Sequence, residues 1–223
     1  MKVILFGASG MVGAGVLLEC LDDARIRSVL VVGRSVCGAT HPKLTEILHG
    51  DFFDLSALRD RLSGADACFF CLGTSAAGLD ERTYHHLTYD LTLAAARAVA
   101  EASPGLTFCY VSGEGTDSSE QGRAMWARVK GKTENALLRM PFKAAYMLRP
   151  AYIQPMRGVR SKTRWYQAVY TVFAPVYPIL RRLLPRYVTT TAAVGKAMIR
   201  LAVGGFERPV LHSQDINRLA GEG

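Results

Sequence analysis

The sequence predicts an α/β protein built on a doubly wound parallel sheet. Three observations carry this reading. Short apolar runs alternate with longer amphipathic ones through the first two thirds of the chain. The short runs are continuously apolar rather than alternating, the pattern of strands covered on both faces. A chain of 223 residues, 49% of them hydrophobic, is long and apolar enough to close one such core, which excludes global disorder.

In chain order, residues 3–6 read as a buried strand and are followed by a helix over residues 11–21. Residues 28–32 form the second strand and residues 45–48 a weaker third, with a helix over 55–62. Residues 67–72 are the fourth strand, and 81–103 contain one long Ala- and Leu-rich helical pattern. The fifth strand, 106–112, runs into a polar loop over 113–122, a helix over 124–138 and a sixth strand over 144–148. After Pro150 the pattern changes: residues 151–187 hold four prolines among many aromatics and arginines. Residues 189–203 are helical again, with the run Thr189-Thr190-Thr191 able to supply the N-cap, and residues 209–212 form a last strand. The expected organisation is a core over 1–150, a cap segment over 151–187, and a helix and strand over 188–223 that complete the same compact unit.

The strongest local signal is Gly7-Ala8-Ser9-Gly10-Met11-Val12-Gly13, which follows a strand and opens a helix. Gly7 permits the tight turn, Gly10 lets a pyrophosphate approach the backbone, and Gly13 allows close packing of helix on strand. The amides around Ser9, Met11 and Val12, at a helix N-terminus with its positive dipole end, suit phosphate. The loop therefore points to a dinucleotide.

Twenty-one residues beyond Gly13, where an acid would hold a ribose 2′-hydroxyl, stand Arg34 and Ser35. Arginine suits a 2′-phosphate, which favours NADP and leaves NAD as the alternative; the competing reading is a solvated loop arginine. Asp51 is placed to accept from an adenine amino group and Phe52 to line the ring, unless Asp51 only caps a turn. Leu72, Gly73 and Thr74 close the fourth strand in a small-residue turn expected against the cofactor ribose.

Read together, these pieces resemble the short-chain dehydrogenase/reductase superfamily in its atypical branch. They are most similar to the epimerase/dehydratase-type proteins related to the Tat-interacting oxidoreductase. The matching stretches are residues 7–13, Val32-Gly33-Arg34, Gly50-Asp51, residues 70–74, Asp90, Val111-Ser112, Val129-Lys130-Gly131 and Arg149-Pro150, in order along residues 1–150. The resemblance implies a Rossmann-like sheet and bound NADP(H). It also implies a catalytic serine at Ser112 and a lysine at Lys130, which holds the nicotinamide ribose and lowers the pKa of a tyrosine four residues earlier. That tyrosine position is Trp126, whose indole donates but does not titrate. Ser118, Ser119, Tyr110 or Tyr152 are the hydroxyls that could substitute. Tyr110 shares strand parity with Ser112, although a core tyrosine is the simpler reading. Met125 and Trp126 are alternatively pocket-lining residues.

The formal charge is +8, and its distribution is uneven. Residues 1–122 carry nine basic and fifteen acidic side chains; residues 123–200 carry sixteen basic ones and a single acid, Glu134. Residues 157–186 interleave arginines with aromatics. This segment reads as a structural cap, as a site for an anionic substrate, or as a peripheral contact with anionic lipid or an acyl chain; nucleic acid is not expected to be a partner. Cys68 and Cys71 form a C-x-x-C within a strand, on opposite faces, which is poor geometry for a redox pair. His85-His86 lacks further ligands nearby, so no metal site is expected. The apolar run after Met1 stops at Gly7 and no span of about 18 apolar residues follows, so a cytoplasmic location is expected.

Three readings follow. One is an NADP-dependent oxidoreductase or epimerase-like enzyme acting on a small substrate, favoured by Ser112 and Lys130. Another is a non-catalytic NADP-binding sensor or scaffold, favoured by Trp126. A peripheral membrane or lipid-handling role is the third.

Overall fold

A computed structural model describes residues 1–159 and 187–221. The elements are β1 (Lys2–Phe6), α1 (Met11–Asp22), β2 (Ser28–Gly33), β3 (Leu44–Leu48), α2 (Arg59–Leu62), β4 (Ala67–Phe70), α3 (Glu81–His85), α4 (Leu91–Ala102) and β5 (Thr107–Val111). They continue with α5 (Met125–Leu138), β6 (Ala144–Arg149), β7 (Tyr152–Gln154), β8 (Val188–Thr190), α6 (Thr191–Gly204), β9 (Val210–His212) and α7 (Ser213–Ala220).

Among the described residues, seven strands form one parallel sheet in the order β3-β2-β1-β4-β5-β6-β9. The fold class is the one expected from the sequence. The unbroken apolar strands are explained by the two cores. Val3, Leu5, Val29, Val31 and Phe69 face α1, α6 and α7 through Val16, Val194, Met198 and Ile216. Their neighbours Ile4, Phe6, Leu30, Phe70 and Phe108 face the other side, against Leu62, Leu93, Val99 and Leu137. The central strands β1, β2 and β4 are buried on both faces, so neither parity can be polar there, whereas the edge strand β3 is half-exposed and carries Thr45 and Glu46. The order in which strands are added reverses between the parallel neighbours β1 and β4, which leaves a crevice at their carboxyl ends.

The structure departs from the expected elements in five places. The helical pattern over 81–103 is divided by a wider π turn at His86–Asp90 between α3 and α4. The stretch 55–62 is a 3-10 turn, Ser56–Leu58, before α2. β4 ends at Phe70, so Cys71 and Leu72 leave the sheet. The run from 188 first makes β8, which pairs in parallel with β7, and only then α6; Thr190 is its N-cap, accepting from the Ala193 amide at 2.8 Å. α7 was not expected. It starts on a reciprocal cap between His212 and Asp215, and His212 is not a usual capping type. Of the proposed cap, residues 160–186 lie outside the described residues. Arg157, at its start, pairs with Glu19 at 3.2 Å and Asp22 at 2.7 Å on α1.

Candidate functional site

The carboxyl ends of β1, β4, β5 and β6 open into a cleft of about 510 Å³. One wall is the start of α1. Gly7 has φ +86° and its carbonyl accepts from the Gly10 amide at 2.9 Å, closing the turn. A Cβ on Gly13 would lie 2.1 Å from that same carbonyl oxygen, so only glycine lets the helix start here. Gly10 caps α1 without any side-chain hydrogen bond, and the first turn contains no acid. The amides of that turn therefore have no intrahelical partner, and Gly10, Met11 and Val12 line the cleft. Ser9 lies half-buried in the same turn.

The other wall carries the charged groups. Lys130, on α5, donates to the backbone carbonyl of Ser112. Burial lowers its pKa to about 8, against the pull of the Glu134 carboxylate. Glu134 lies one helical turn further on and is 1% exposed. It is held by Arg149, whose Nε contacts both carboxylate oxygens at 3.1 Å and whose terminal nitrogen donates to one of them. Arg149 also donates to Ser118 Oγ at 2.5 Å. The Ser112 hydroxyl donates to Glu134 and lies 3.1 Å from the Leu148 carbonyl. Ser112 lines the cleft, but its hydroxyl is already engaged by Glu134.

The expected cofactor residues divide into two groups. Leu72, Gly73 and Thr74 line the cleft with Gly10, Met11 and Val12. Arg34 and Ser35 are exposed just beyond β2, and Arg34 makes no ion pair among the described residues. Asp51 Oδ1 accepts from the Phe53 amide at 2.8 Å, so it does cap its own turn while remaining exposed. Phe52 requires correction. It is 3% exposed and packs edge-on against Phe6 at 5.9 Å, because the turn after β3 drives its ring into the core instead of toward a base.

The hydroxyls weighed as substitutes for a tyrosine are engaged elsewhere. Tyr110 is buried between β4 and β6, and burial pushes its phenol far up. Tyr152 donates to Gln154 at 2.7 Å, Ser119 donates to Asp117 at 2.6 Å, and Ser118 accepts from Arg149. Trp126 and Met125 are not among the cleft-lining residues; the Trp126 ring lies over Gly115 in the loop after β5. Cys71 does reach the cleft, with burial raising its thiol to about 12, and Cys68 is pushed well up in the core. Neither offers the thiolate a redox pair needs. Among the described residues no group of three metal-ligating side chains converges.

Glu134 and Arg149 are the site residues that sequence reasoning missed as a pair. The available signal was Glu134 itself, the lone acid among sixteen basic residues. An acid in such a stretch has many possible partners, and only the fold selects Arg149.

No known protein-family profile matches the chain. Curated relatives include the protein fmp52, mitochondrial, of Emericella nidulans, 29% identical over 180 residues that cover 78% of this chain and 74% of that one. A second is fmp52-2, mitochondrial, of Aspergillus terreus, 28% identical and covering 74% and 72%. Among solved structures, Pal from Bacillus thuringiensis superposes with a TM-score of 0.69 at 13% identity, covering 99% of this chain and 81% of that one. A UDP-N-acetylglucosamine 4-epimerase from Methanobrevibacter ruminantium gives 0.66 at 16%, covering 99% and 80%. MoeE5 in complex with UDP-glucuronic acid and NAD gives 0.63 at 17%, covering 100% and 82%. The chain thus has the fold of short-chain dehydrogenase and epimerase/dehydratase proteins, as its motifs indicated. The cytoplasmic expectation is overturned, because the curated relatives are named mitochondrial proteins. An apolar run that ends at Gly7 was too little to decide location.

Proposed function

We propose that the protein is an NADP(H)-binding oxidoreductase or epimerase-like enzyme that acts on the carbonyl or carbinol of a small substrate. The observation that carries this reading is one cleft with two complementary walls. Uncapped first-turn amides of α1, with no acid beside them, face the ammonium of Lys130 across it. The amides fit a pyrophosphate by backbone donation and dipole. Arg34, exposed and without an ion-pair partner among the described residues, fits a 2′-phosphate and so favours NADP. NAD in the MoeE5 complex supports a nicotinamide dinucleotide in this fold.

When bound, the dinucleotide supplies a hydride donor or acceptor at its nicotinamide ring. This chain's part is to bind and orient. The turn of residues 7–13 grips the phosphates, residues 72–74 form the opposing small-residue surface, and Lys130 presents donors to the ribose and the reacting oxygen. Ser112 fixes Lys130 through its carbonyl; its hydroxyl does not polarise the substrate while its proton is on Glu134. This proton placement, with Trp126 at the tyrosine position, is what favours the second reading, a sensor that binds NADP without turnover.

Calorimetric titration with NADPH, NADP, NADH and NAD tests the reading. Binding of the phosphorylated pair, with a preference of about tenfold or more over NAD(H), is expected from one charge-assisted contact set. No binding of any dinucleotide rejects both readings. Binding with no oxidation of NADPH across a panel of aldehydes and ketones selects the sensor.

A further inference from the structure

We propose that Lys130 is itself the proton-transferring group of this site, in the place a tyrosine would hold. The inference rests on the oxidoreductase reading above and names the residue that completes it.

Elimination by geometry comes first. A reacting oxygen needs a group that can give up or take a proton within hydrogen-bond reach in the cleft. Among the described residues no tyrosine lines the cleft. Tyr110 is sealed in the sheet, and Tyr152 faces Gln154. Ser112 has committed its proton to Glu134, and Glu134 is itself locked by Arg149 and shut away from solvent.

Lys130 is placed to act where these are not. Its Nζ has one hydrogen-bond partner among the described residues, the Ser112 carbonyl, although an ammonium carries three donors. The remaining donors lie on the cleft it lines. The Glu134 carboxylate pulls on it but forms no direct ion pair with it, and that carboxylate is bonded to Arg149. The other titratable groups around it do not compensate. Glu114, on the loop after β5, is bonded to His212 at 2.8 Å. The Cys71 thiol after β4 and the Tyr110 phenol on β5 both stay protonated, since burial raises them. A desolvated ammonium with spare donors and no direct ion-pair partner among the described residues is a proton donor suited to near-neutral pH.

In the reductive direction the Nζ–H bond would break as an O–H bond forms on the carbonyl oxygen, whose π pair is released when the carbonyl carbon takes the hydride that a bound reduced dinucleotide would supply. Lys130 is left as a neutral amine and regains its proton from solvent. In the oxidative direction the neutral amine takes the hydroxyl proton.

Two measurements on the full chain test this. In protein labelled at lysine 13Cε, one of the seven lysine resonances should titrate near pH 8 and be missing from Lys130→Arg. In NADPH oxidation with 4-nitrobenzaldehyde, Lys130→Ala should lose about 100-fold or more in kcat, and added primary amines should restore rate in proportion to their basicity. A lysine that only positions the cofactor would instead raise the KM for NADPH and give no amine dependence. All resonances titrating at about 10 or above, or absent rescue, overturns the inference alone. No carbonyl reduction by wild-type protein that binds NADPH overturns it together with the enzyme reading and selects the sensor. Failure of wild-type protein to bind NADPH overturns the proposed function instead.

Discussion

The two walls of the cleft recognise by opposite means. At the α1 wall the working atoms are backbone amides, and side chains matter there only by their absence. At the α5 wall the working atoms are the charged ends of Lys130, Glu134 and Arg149, held in a region from which water is largely excluded. The difference teaches where each wall is fragile. The first fails when an atom is added, and the second fails when a charge is removed.

The largest effect is expected at the charged wall. Arg149→Leu leaves the buried Glu134 with the Ser112 hydroxyl but without its guanidinium counter-charge and should cost about 3–5 kcal/mol, measured by urea unfolding. Replacing both residues, Glu134→Met with Arg149→Leu, should recover much of that loss. A double variant as unstable as the single one would show that packing, and not the isolated charge, sets the cost.

At the amide wall, Gly13→Ala places a methyl 2.1 Å from the Gly7 carbonyl and must push the turn open. Overpacking of this kind costs about 1–3 kcal/mol in thermal or urea unfolding. Dinucleotide affinity should fall with it while the lysine titration stays unchanged. Loss of the Lys130 titration in this variant would mean that the two walls are coupled.

Lys130→Met should stabilise the protein at pH 7 by about 1–2 kcal/mol, discounted because the side chain is only part-buried. The sign follows from linkage. The folded pKa is about 8 and lies below the unfolded value, so the folded state binds fewer protons between the two. Wild-type stability then rises with pH through that window, from about 8 to about 10.4. The advantage of the variant should shrink over the same range, and a constant advantage would place the desolvated charge elsewhere.

The smallest effect belongs to the exposed periphery of the amide wall. Arg34→Ala should weaken NADP(H) about tenfold, or 1.4 kcal/mol, and leave NAD(H) affinity unchanged. Equal loss for both dinucleotides would remove Arg34 from the 2′-phosphate.

Much of this was readable from local pattern. The central strands appear as apolar runs because both of their faces are buried, and Gly7, Gly10 and Gly13 are readable because a tight turn into a helix leaves few other choices. The strand end at Phe70 was less readable, since Cys71 and Leu72 are as apolar as the residues before them, yet they leave the sheet. Phe52 and Phe53 are adjacent and chemically identical, and only the turn after β3 decided that Phe52 enters the core while Phe53 stays exposed, stacked on His86 at 4.5 Å.

The sequence by itself determined the sheet, the glycine turn and the concentration of positive charge in residues 123–200, because each depends on residue types that are near in the chain. Only the tertiary structure decided which charges meet. Glu134 and Arg149 are fifteen residues apart on a helix and a strand, and Ser112 is twenty-two from Glu134. Their pairing follows from how α5 packs on β6, and that packing tied the serine hydroxyl to Glu134 and left Lys130 on the cleft without an ion pair among the described residues.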